Sequence, residues 1–326
     1  MMSLISPVWI VQTLIASTLL MALVLAVRAP VMRAFGPRVA YALWLLPALR
    51  MILPPLPGWR TLMIPIAYVG PHRSTIGLID PASAARLMRE GPGPLPAPEA
   101  ILQLGPPHPA LALLDGAPPP PIDWAAIAVA VWLGGALLLF ATQLLRYRLF
   151  LDRALRGSVR LSRECGIDVL ISGHVSGPIA AGILKRRILL PGNFLSRYTS
   201  EERRLALKHE AAHHDRLDIP ANLLALGIVA LHWWNPLAHR AYRAFRADQE
   251  LACDATVLAE AAPGERHPYG SAMLKSASGH MPAMACALSH KDQLKKRIGM
   301  MARGEMGMGR LLSGVVLAAT AIGGGL

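Results

Sequence analysis

Long apolar segments without charge limit what this chain can fold into more than any other feature. Residues 1–27 contain no charged side chain, and 9–27 alone supplies 19 consecutive residues that are mostly apolar. At about 1.5 Å of rise per residue, a helix of that length crosses a hydrocarbon core of roughly 30 Å. Residues 124–145 form a second such segment, which Arg146 and Arg148 close. A membrane protein is therefore predicted, in agreement with a mean hydropathy of +0.40.

Two further segments are weaker candidates for spanning helices. Residues 39–56 are interrupted by Pro47 and Arg50, and residues 311–326 are short and rich in small side chains. A cleaved signal peptide is disfavoured, because the positive charges follow the first apolar segment instead of preceding it. The predicted spans are membrane helices 1 and 2 within 1–58, membrane helix 3 at 124–145, and a fourth, shortened helix at 311–326.

The distribution of charge predicts the orientation of these helices. The connector 28–38 carries three arginines, residues 59–123 carry four arginines against five acids, and 146–310 carries 25 basic and 15 acidic residues. Since basic connectors stay in the cytoplasm, we expect the N-terminus and the proline-rich loop 59–123 outside and 146–310 inside. This bias also accounts for most of the net charge of +13. Direct binding of nucleic acid is not predicted, because no basic run with interleaved aromatic residues occurs.

The segment 207–218, LKHEAAHHDRLD, contains three histidines, a glutamate and two aspartates. Thr199 and Glu202 precede it with the spacing of a capping box, which predicts a helix from about Ser200 to about Asp218. The sequence therefore places this dense group of metal-binding side chains on a helix.

On such a helix, His209 and His213 lie four residues apart on one face, where both imidazoles can reach one ion. With Glu210 they form the H-E-x-x-H arrangement, in which two imidazoles bind Zn²⁺ and the glutamate serves as base toward a water molecule. Two surface histidines on a solvated helix are the alternative that these five residues alone leave open.

A third ligand is expected on another helix, because catalytic zinc usually takes three protein ligands. Residues 236–260 predict such a helix, and Glu250 and Asp254 lie four residues apart on one of its faces. Glu250 is the candidate third ligand, and Asp254 is the candidate acceptor of a hydrogen bond from a ligand histidine. Solvated carboxylates are the alternative.

These motifs together resemble the BlaR/MecR-type family of integral-membrane regulatory zinc metallopeptidases. The chain contains HEAAHHDRLD, WWNP and DQELACDATVL in the family's order, and SGPIAAGILKRRILLP and LKKRIGMM are also similar to family segments. The resemblance implies His209, His213 and Glu250 as ligands of Zn²⁺ and Glu210 as catalytic base, as in peptidases of the gluzincin type. It further implies a multi-pass protein of the bacterial inner membrane, surrounded by lipid, that cleaves a cytoplasmic protein such as a transcriptional repressor.

The fold class expected from these features is an α-helical membrane protein with three to four transmembrane helices. An α+β zincin-like H-E-x-x-H metallopeptidase domain is inserted at 146–310, with a membrane-associated helix near 219–234. Residues 186–192 predict a β-strand, either an edge strand along which a substrate peptide adds or a core strand. Cys165, Cys253 and Cys286 are predicted to be small buried side chains rather than metal ligands.

The chain departs from the best-known members of the family at its C-terminal end. It stops at Leu326 without the penicillin-binding sensor domain that follows the last span in those members. Two alternatives stay open: the sequence is truncated after Leu326, or the protein belongs to members without this sensor that are regulated through the external loop, the spans or a partner. Self-cleavage near 295–297 is a further expectation from the family, and a basic flank beside the last span is the alternative.

Two other functions fit the same residues. One is a membrane quality-control metallopeptidase resembling the HtpX type, and the other is a non-catalytic transducer that uses zinc only to hold its fold. WWNP and ELACD favour the regulatory peptidase over the first, and the presence of Glu210 argues against the second. The substrate, the signal and the oligomeric state, a homodimer included, stay open.

Overall fold

The computed structural model describes residues 7–52, 122–262, 264–277, 295 and 297–299. Residues 1–58 with 127–326 form one compact unit and 59–126 another, of which only 122–126 are described. The expected helix at 311–326 and nearly all of the proline-rich loop lie outside the described residues.

Two helices of the described chain are long and apolar enough to cross a membrane: α1 (Pro7–Phe35) and α4 (Trp124–Leu155). They contain the segments predicted as membrane helices 1 and 3. Many of their apolar side chains are exposed: Leu19 and Leu23 of α1 are 61% and 52% exposed, and Leu137 and Leu138 of α4 are 69% and 66% exposed. A continuous exposed apolar surface of this kind is what a helix in contact with lipid presents.

The second predicted span is not a continuous helix in its described part. Residues Pro37–Ala42 form α2 and Leu45–Ile52 form α3, with a turn between them. Pro47 lacks the backbone N–H that would bond to the carbonyl of Leu43, and it lies in the first turn of α3, where no such bond is needed. The predicted span 39–56 is therefore two short helices rather than one in its described part, 39–52.

The remaining described residues form an α+β unit between α4 and the C-terminal segment. Its sheet has the order β1-β2-β4-β3, in which β2 and β4 are parallel and the other two pairs are antiparallel. The predicted strand at 186–192 is β4, an inner and buried strand, so the core alternative is correct, and the edge strands are β1 and β3. The strands are β1 (Val159–Glu164), β2 (Ile167–Ser172), β3 (Ile179–Ala181) and β4 (Arg187–Pro191). The helices are α5 (Phe194–Arg197), α6 (Ser200–Asp215), α7 (Asp218–Leu231), α8 (Pro236–Ala259) and α9 (Arg266–Ala277).

Helix α8 belongs to two hydrophobic cores. Its first half, with Ala241 and Phe245, packs against α1, α2 and α3, and its second half, with Val257 and Leu258, packs beneath the sheet with α6 and α9. Polar contacts reinforce the first of these junctions. Arg28 of α1 forms a 3.0 Å ion pair with Asp248, and Arg38 of α2 donates a 2.9 Å hydrogen bond to the carbonyl of Ala255. The N-terminal helices thus hold the helix on which the third ligand was predicted.

The segment 219–234, expected as a membrane-associated helix, is α7 and the turn that follows it. His232, in this turn, is completely buried, and its Nε2 lies 2.9 Å from the hydroxyl of Ser17 in α1. Trp233 and Trp234 are 37% and 57% exposed. The buried polar pair fixes α7 against α1, since an unpaired polar group at this place would be costly.

Candidate metal centre

Helix α6 begins with the capping box that the sequence predicts. The amide of Glu202 donates to the hydroxyl of Thr199 at 3.3 Å, and the amide of Thr199 donates to the carboxylate of Glu202 at 2.8 Å. The helix ends at Asp215, because Leu217 adopts a left-handed conformation with φ of +58°. This residue reverses the chain direction, and Asp218 starts α7 close to the last turn of α6.

The structure brings His209, His213 and Glu250 together between α6 and α8. Nε2 of His209 lies 3.6 Å from one carboxylate oxygen of Glu250, and Nε2 of His213 lies 3.9 Å from the other. The two imidazole rings are edge to face, with centroids 4.8 Å apart. The three side chains predicted as ligands therefore lie together, with each histidine beside a different carboxylate oxygen of Glu250.

Hydrogen bonds on the far side of each imidazole fix its tautomer. Nδ1 of His213 lies 2.7 Å from Asp218, and Nδ1 of His209 lies 2.8 Å from the hydroxyl of Tyr269, which donates to Asp254 at 2.7 Å. When the rings are neutral and each Nδ1 is the donor in these hydrogen bonds, the lone pair of each Nε2 is directed toward Glu250. Ligand histidines in metal sites are oriented in the same way.

The two aspartates near the histidines differ in how they contact them, and only the contact of Asp254 was expected. Asp254 was predicted to accept directly from a ligand histidine, but its carboxylate lies 3.5 Å from Nδ1 of His209 and reaches it through Tyr269. Asp218 makes the direct contact with His213 and is only 1% exposed. Sequence reasoning assigned no role to Asp218 or Tyr269, since both contacts depend on how helices α7 and α9 return to α6.

Glu210 lies between the histidines and the edge of the sheet. It is buried, and its Oε2 accepts a 2.6 Å hydrogen bond from the backbone amide of Ala180 in β3. His214, four residues after Glu210, lies with its Nε2 2.9 Å from the backbone carbonyl of Arg187 in β4. Helix α6 is therefore fixed to both inner and edge strands, with Glu210 on the side of the edge strand.

Arg297 joins the site from the segment that follows α9. Its guanidinium donates two 2.8 Å hydrogen bonds to the carboxylate of Asp254 and lies 3.4 Å from Glu250. The sequence indicated only a basic flank or a cleavage site here. Nothing local to LKKR reveals that one of its side chains enters the site, because the contact joins residues more than forty positions apart.

Electrostatic interactions in this cluster favour a positive charge at its centre. Burial lowers the pKa of His209, but the neighbouring Cys253 and Glu250 raise it to about 10. Burial raises the pKa of Glu250, whereas His209 and Arg297 hold it well below its usual range. The field that stabilises a proton between these groups also suits a divalent cation, so the donor set and its charge fit a bound metal.

Comparison with known proteins agrees with this geometry. Residues 115–301 match the family described as BlaR1 peptidase M56. The regulatory protein BlaR1 of Bacillus licheniformis is 28% identical over 104 residues, which are 32% of this chain and 17% of the relative. The methicillin resistance mecR1 protein of Staphylococcus aureus is 26% identical over 137 residues, which are 40% of this chain and 23% of the relative.

The matched segments span less than a quarter of the length of these curated relatives. The family match itself covers more than half of the present chain and includes α6, α8 and every residue of the candidate centre from Ala180 to Arg297. The chain belongs to the BlaR1 peptidase family M56, a family of metallopeptidases of the BlaR/MecR type.

Proposed function

We propose that this chain is an integral-membrane zinc endopeptidase of regulatory type, which cleaves a cytoplasmic protein, most simply a transcriptional repressor. The observation that carries the proposal is the convergence of His209, His213 and Glu250 beside a buried Glu210. A structural metal site has no need of a carboxylate at the position of Glu210.

The proposed ligands of Zn²⁺ are Nε2 of His209, Nε2 of His213 and the carboxylate of Glu250. Two imidazoles and one carboxylate are a donor set of catalytic zinc in peptidases. When bound, the ion would polarise the scissile carbonyl and make a water molecule more acidic. The hydrogen bonds to Tyr269 and Asp218 keep both imidazoles in the required tautomer.

Glu210 is proposed to act as the general base. Its Oε2 is held by the amide of Ala180, which leaves the other oxygen of the carboxylate to take a proton from water and pass it to the leaving amine. Because the amide of Ala180 donates to Glu210, this amide faces away from β4 and toward the metal centre. A substrate peptide that adds along β3 as an antiparallel strand would bring its scissile bond to this carboxylate.

Regulation through the membrane part is supported by the contacts of α8 and α7. Arg28 and Trp44 both bond to Asp248, two residues before Glu250. Tyr41 of α2 donates to Asp218, the partner of His213. A shift of the N-terminal helices would therefore act on two of the three proposed ligands, on Glu250 through Asp248 and on His213 through Asp218.

The proposed topology places the N-terminus outside and the metal centre on the cytoplasmic side of a bacterial inner membrane, with lipid around α1 and α4. Single cysteines at Ser74 and at the exposed Ser200, in a chain without its native cysteines, test this orientation. An impermeant thiol reagent applied outside should label only Ser74→Cys. Labelling of Ser200→Cys under the same conditions would remove cytoplasmic proteins from the candidate substrates.

The test of the proposed function compares Glu210→Gln with the wild type in cells. Glutamine keeps the size of the side chain but removes the base, so cleavage should fall by roughly 10²- to 10⁴-fold while zinc is retained. The matched control is Glu201→Gln, an exposed residue of the same helix, which should cleave like the wild type.

The readout is the set of proteins cleaved in wild-type and Glu201→Gln cells but intact with Glu210→Gln. A repressor in this set supports the proposal. Cleavage confined to damaged membrane proteins would indicate the quality-control alternative. Full relief of repression by Glu210→Gln would indicate the non-catalytic transducer and end the peptidase proposal.

A further inference from the structure

A buried thiol lies in the metal centre and has no part in the proposed hydrolysis. Cys253 follows Glu250 by three residues on α8, so the two side chains project from the same face of the helix. The residue is completely buried, and its Sγ contacts the backbone carbonyl of His209 at 3.5 Å. The thiol is therefore fixed between α8 and α6, at the level of the first histidine.

The position of this thiol is that of a metal ligand. One ligand atom each from His209, His213 and Cys253 lie within 4.8 Å of one another. In a tetrahedral zinc site with bonds of 2.0 to 2.3 Å, neighbouring ligand atoms are about 3.5 Å apart. Contraction by about 1 Å, which small side-chain rotations provide, would bring the three atoms to that spacing.

The surroundings of Cys253 differ from those of an inert buried cysteine. Such cysteines lie among apolar side chains, which raise the thiol pKa and keep the proton in place. Cys253 instead lies beside two imidazoles, with one ligand atom each of His209 and His213 within 4.8 Å of its sulfur. The sequence-based interpretation of Cys253 as a small apolar side chain does not account for these two neighbours.

We propose that Cys253 is a fourth protein ligand of the metal, beside His209, His213 and Glu250. The inference rests on the proposed metal centre. On binding, the thiol releases its proton to solvent and its sulfur forms the bond to the ion. Four protein ligands make a closed site, whereas a catalytic site keeps one position for water. With four protein ligands the centre is inactive. Peptide cleavage would begin only after the thiolate dissociates from the metal, takes up a proton and leaves its position to water.

Cobalt reports both the presence of the metal and the identity of its ligands. The full chain, purified in detergent, is titrated with Co²⁺ as wild type, Cys253→Ser and Cys165→Ser. Cys165 is an exposed cysteine outside the centre and provides the matched control. The wild type and Cys165→Ser should show the near-ultraviolet charge-transfer band of a cobalt–sulfur bond, and Cys253→Ser should lose it. The visible d–d bands of bound cobalt should persist in all three.

The outcomes separate this inference from the proposed centre. Visible cobalt bands without a charge-transfer band in the wild type would overturn the thiolate ligand and leave the centre of His209, His213 and Glu250 standing. Absence of all cobalt bands in the wild type would overturn the centre itself. Loss of the charge-transfer band in Cys165→Ser rather than Cys253→Ser would assign the sulfur elsewhere and also overturn the inference.

A second measurement serves if Cys253→Ser fails to fold or to bind cobalt. The zinc K-edge absorption fine structure of the wild-type protein should then show one sulfur neighbour at about 2.3 Å beside nitrogen and oxygen neighbours at about 2.0 to 2.2 Å. A zinc shell of nitrogen and oxygen alone would overturn the inference.

Discussion

Asp218 should control how tightly the metal is held, although it is not itself a proposed ligand. Its Oδ2 lies 2.7 Å from Nδ1 of His213, and the same atom accepts from Arg216 at 3.2 Å. Its other oxygen accepts from Tyr41 at 3.3 Å. The carboxylate is only 1% exposed, so its removal leaves three buried groups, on His213, Arg216 and Tyr41, without their acceptor.

The size of the effect follows from what each substitution removes. Asp218→Ala removes the acceptor that fixes the tautomer of His213, and loss of such partners typically costs roughly 10- to 100-fold in metal affinity. This corresponds to about 1.4 to 2.8 kcal/mol of binding free energy. Asp218→Asn keeps one oxygen that can accept from His213 but loses the negative charge, so its affinity should fall by about tenfold, near the lower limit.

The assay is competition for zinc between the detergent-solubilised protein and a chromophoric chelator. Asp215→Asn is the control. Asp215 ends α6, the helix that carries His213, but its side chain is 71% exposed and lies 3.7 Å from Arg186. The control should bind zinc like the wild type. Thermal melting of the metal-free proteins shows whether each variant folds. A folded Asp218→Ala that holds zinc as tightly as the wild type would refute the reasoning.

Two further predictions concern the elements around the centre. Gly182 has φ of +87° and no room for a Cβ atom. Gly182→Ala should therefore destabilise the turn after β3 by about 1 to 3 kcal/mol and lower the melting temperature. Gly173, where a Cβ atom would meet no neighbour within 4 Å, is the control, and Gly173→Ala should leave the melting temperature unchanged. Burial raises the pKa of Glu202, but hydrogen bonds led by that from Lys275 lower it to about 2 from 4.5. The stabilising contribution of the ionised Glu202 is therefore complete above pH 4.5 and lost as the pH falls toward 2. At pH 7, Glu202→Gln should have a lower melting temperature than the control Glu201→Gln. On acidification, Glu202→Gln should lose less stability than the control.

The two ligand helices could be predicted from the sequence because their signals are local. The capping box of Thr199 and Glu202 fixes the start of α6, and Pro236 with the preceding Asn235 fixes the start of α8. Helical spacing then determines which residues of each helix share a face. The convergence of His209 with Glu250 follows once these two faces pack together.

Other parts of the site depend on features that no local pattern encodes. Asp218 reaches His213 only because Leu217 takes a left-handed conformation that is uncommon for leucine. Ala180 meets Glu210 because the strand order places β3, not β4, at the edge of the sheet. Arg297 contacts Asp254, from which it is separated by more than forty positions in the sequence. Each of these contacts is set by tertiary packing.

The central claim, a metal centre held by side chains of α6 and α8, is tested most directly by the zinc content of three purified proteins. Elemental mass spectrometry should find about one zinc per chain in the wild type and in Glu210→Gln, because the base is not a ligand. His213→Ala should lose most of the metal while remaining folded. Equal zinc content in His213→Ala and the wild type would contradict the account.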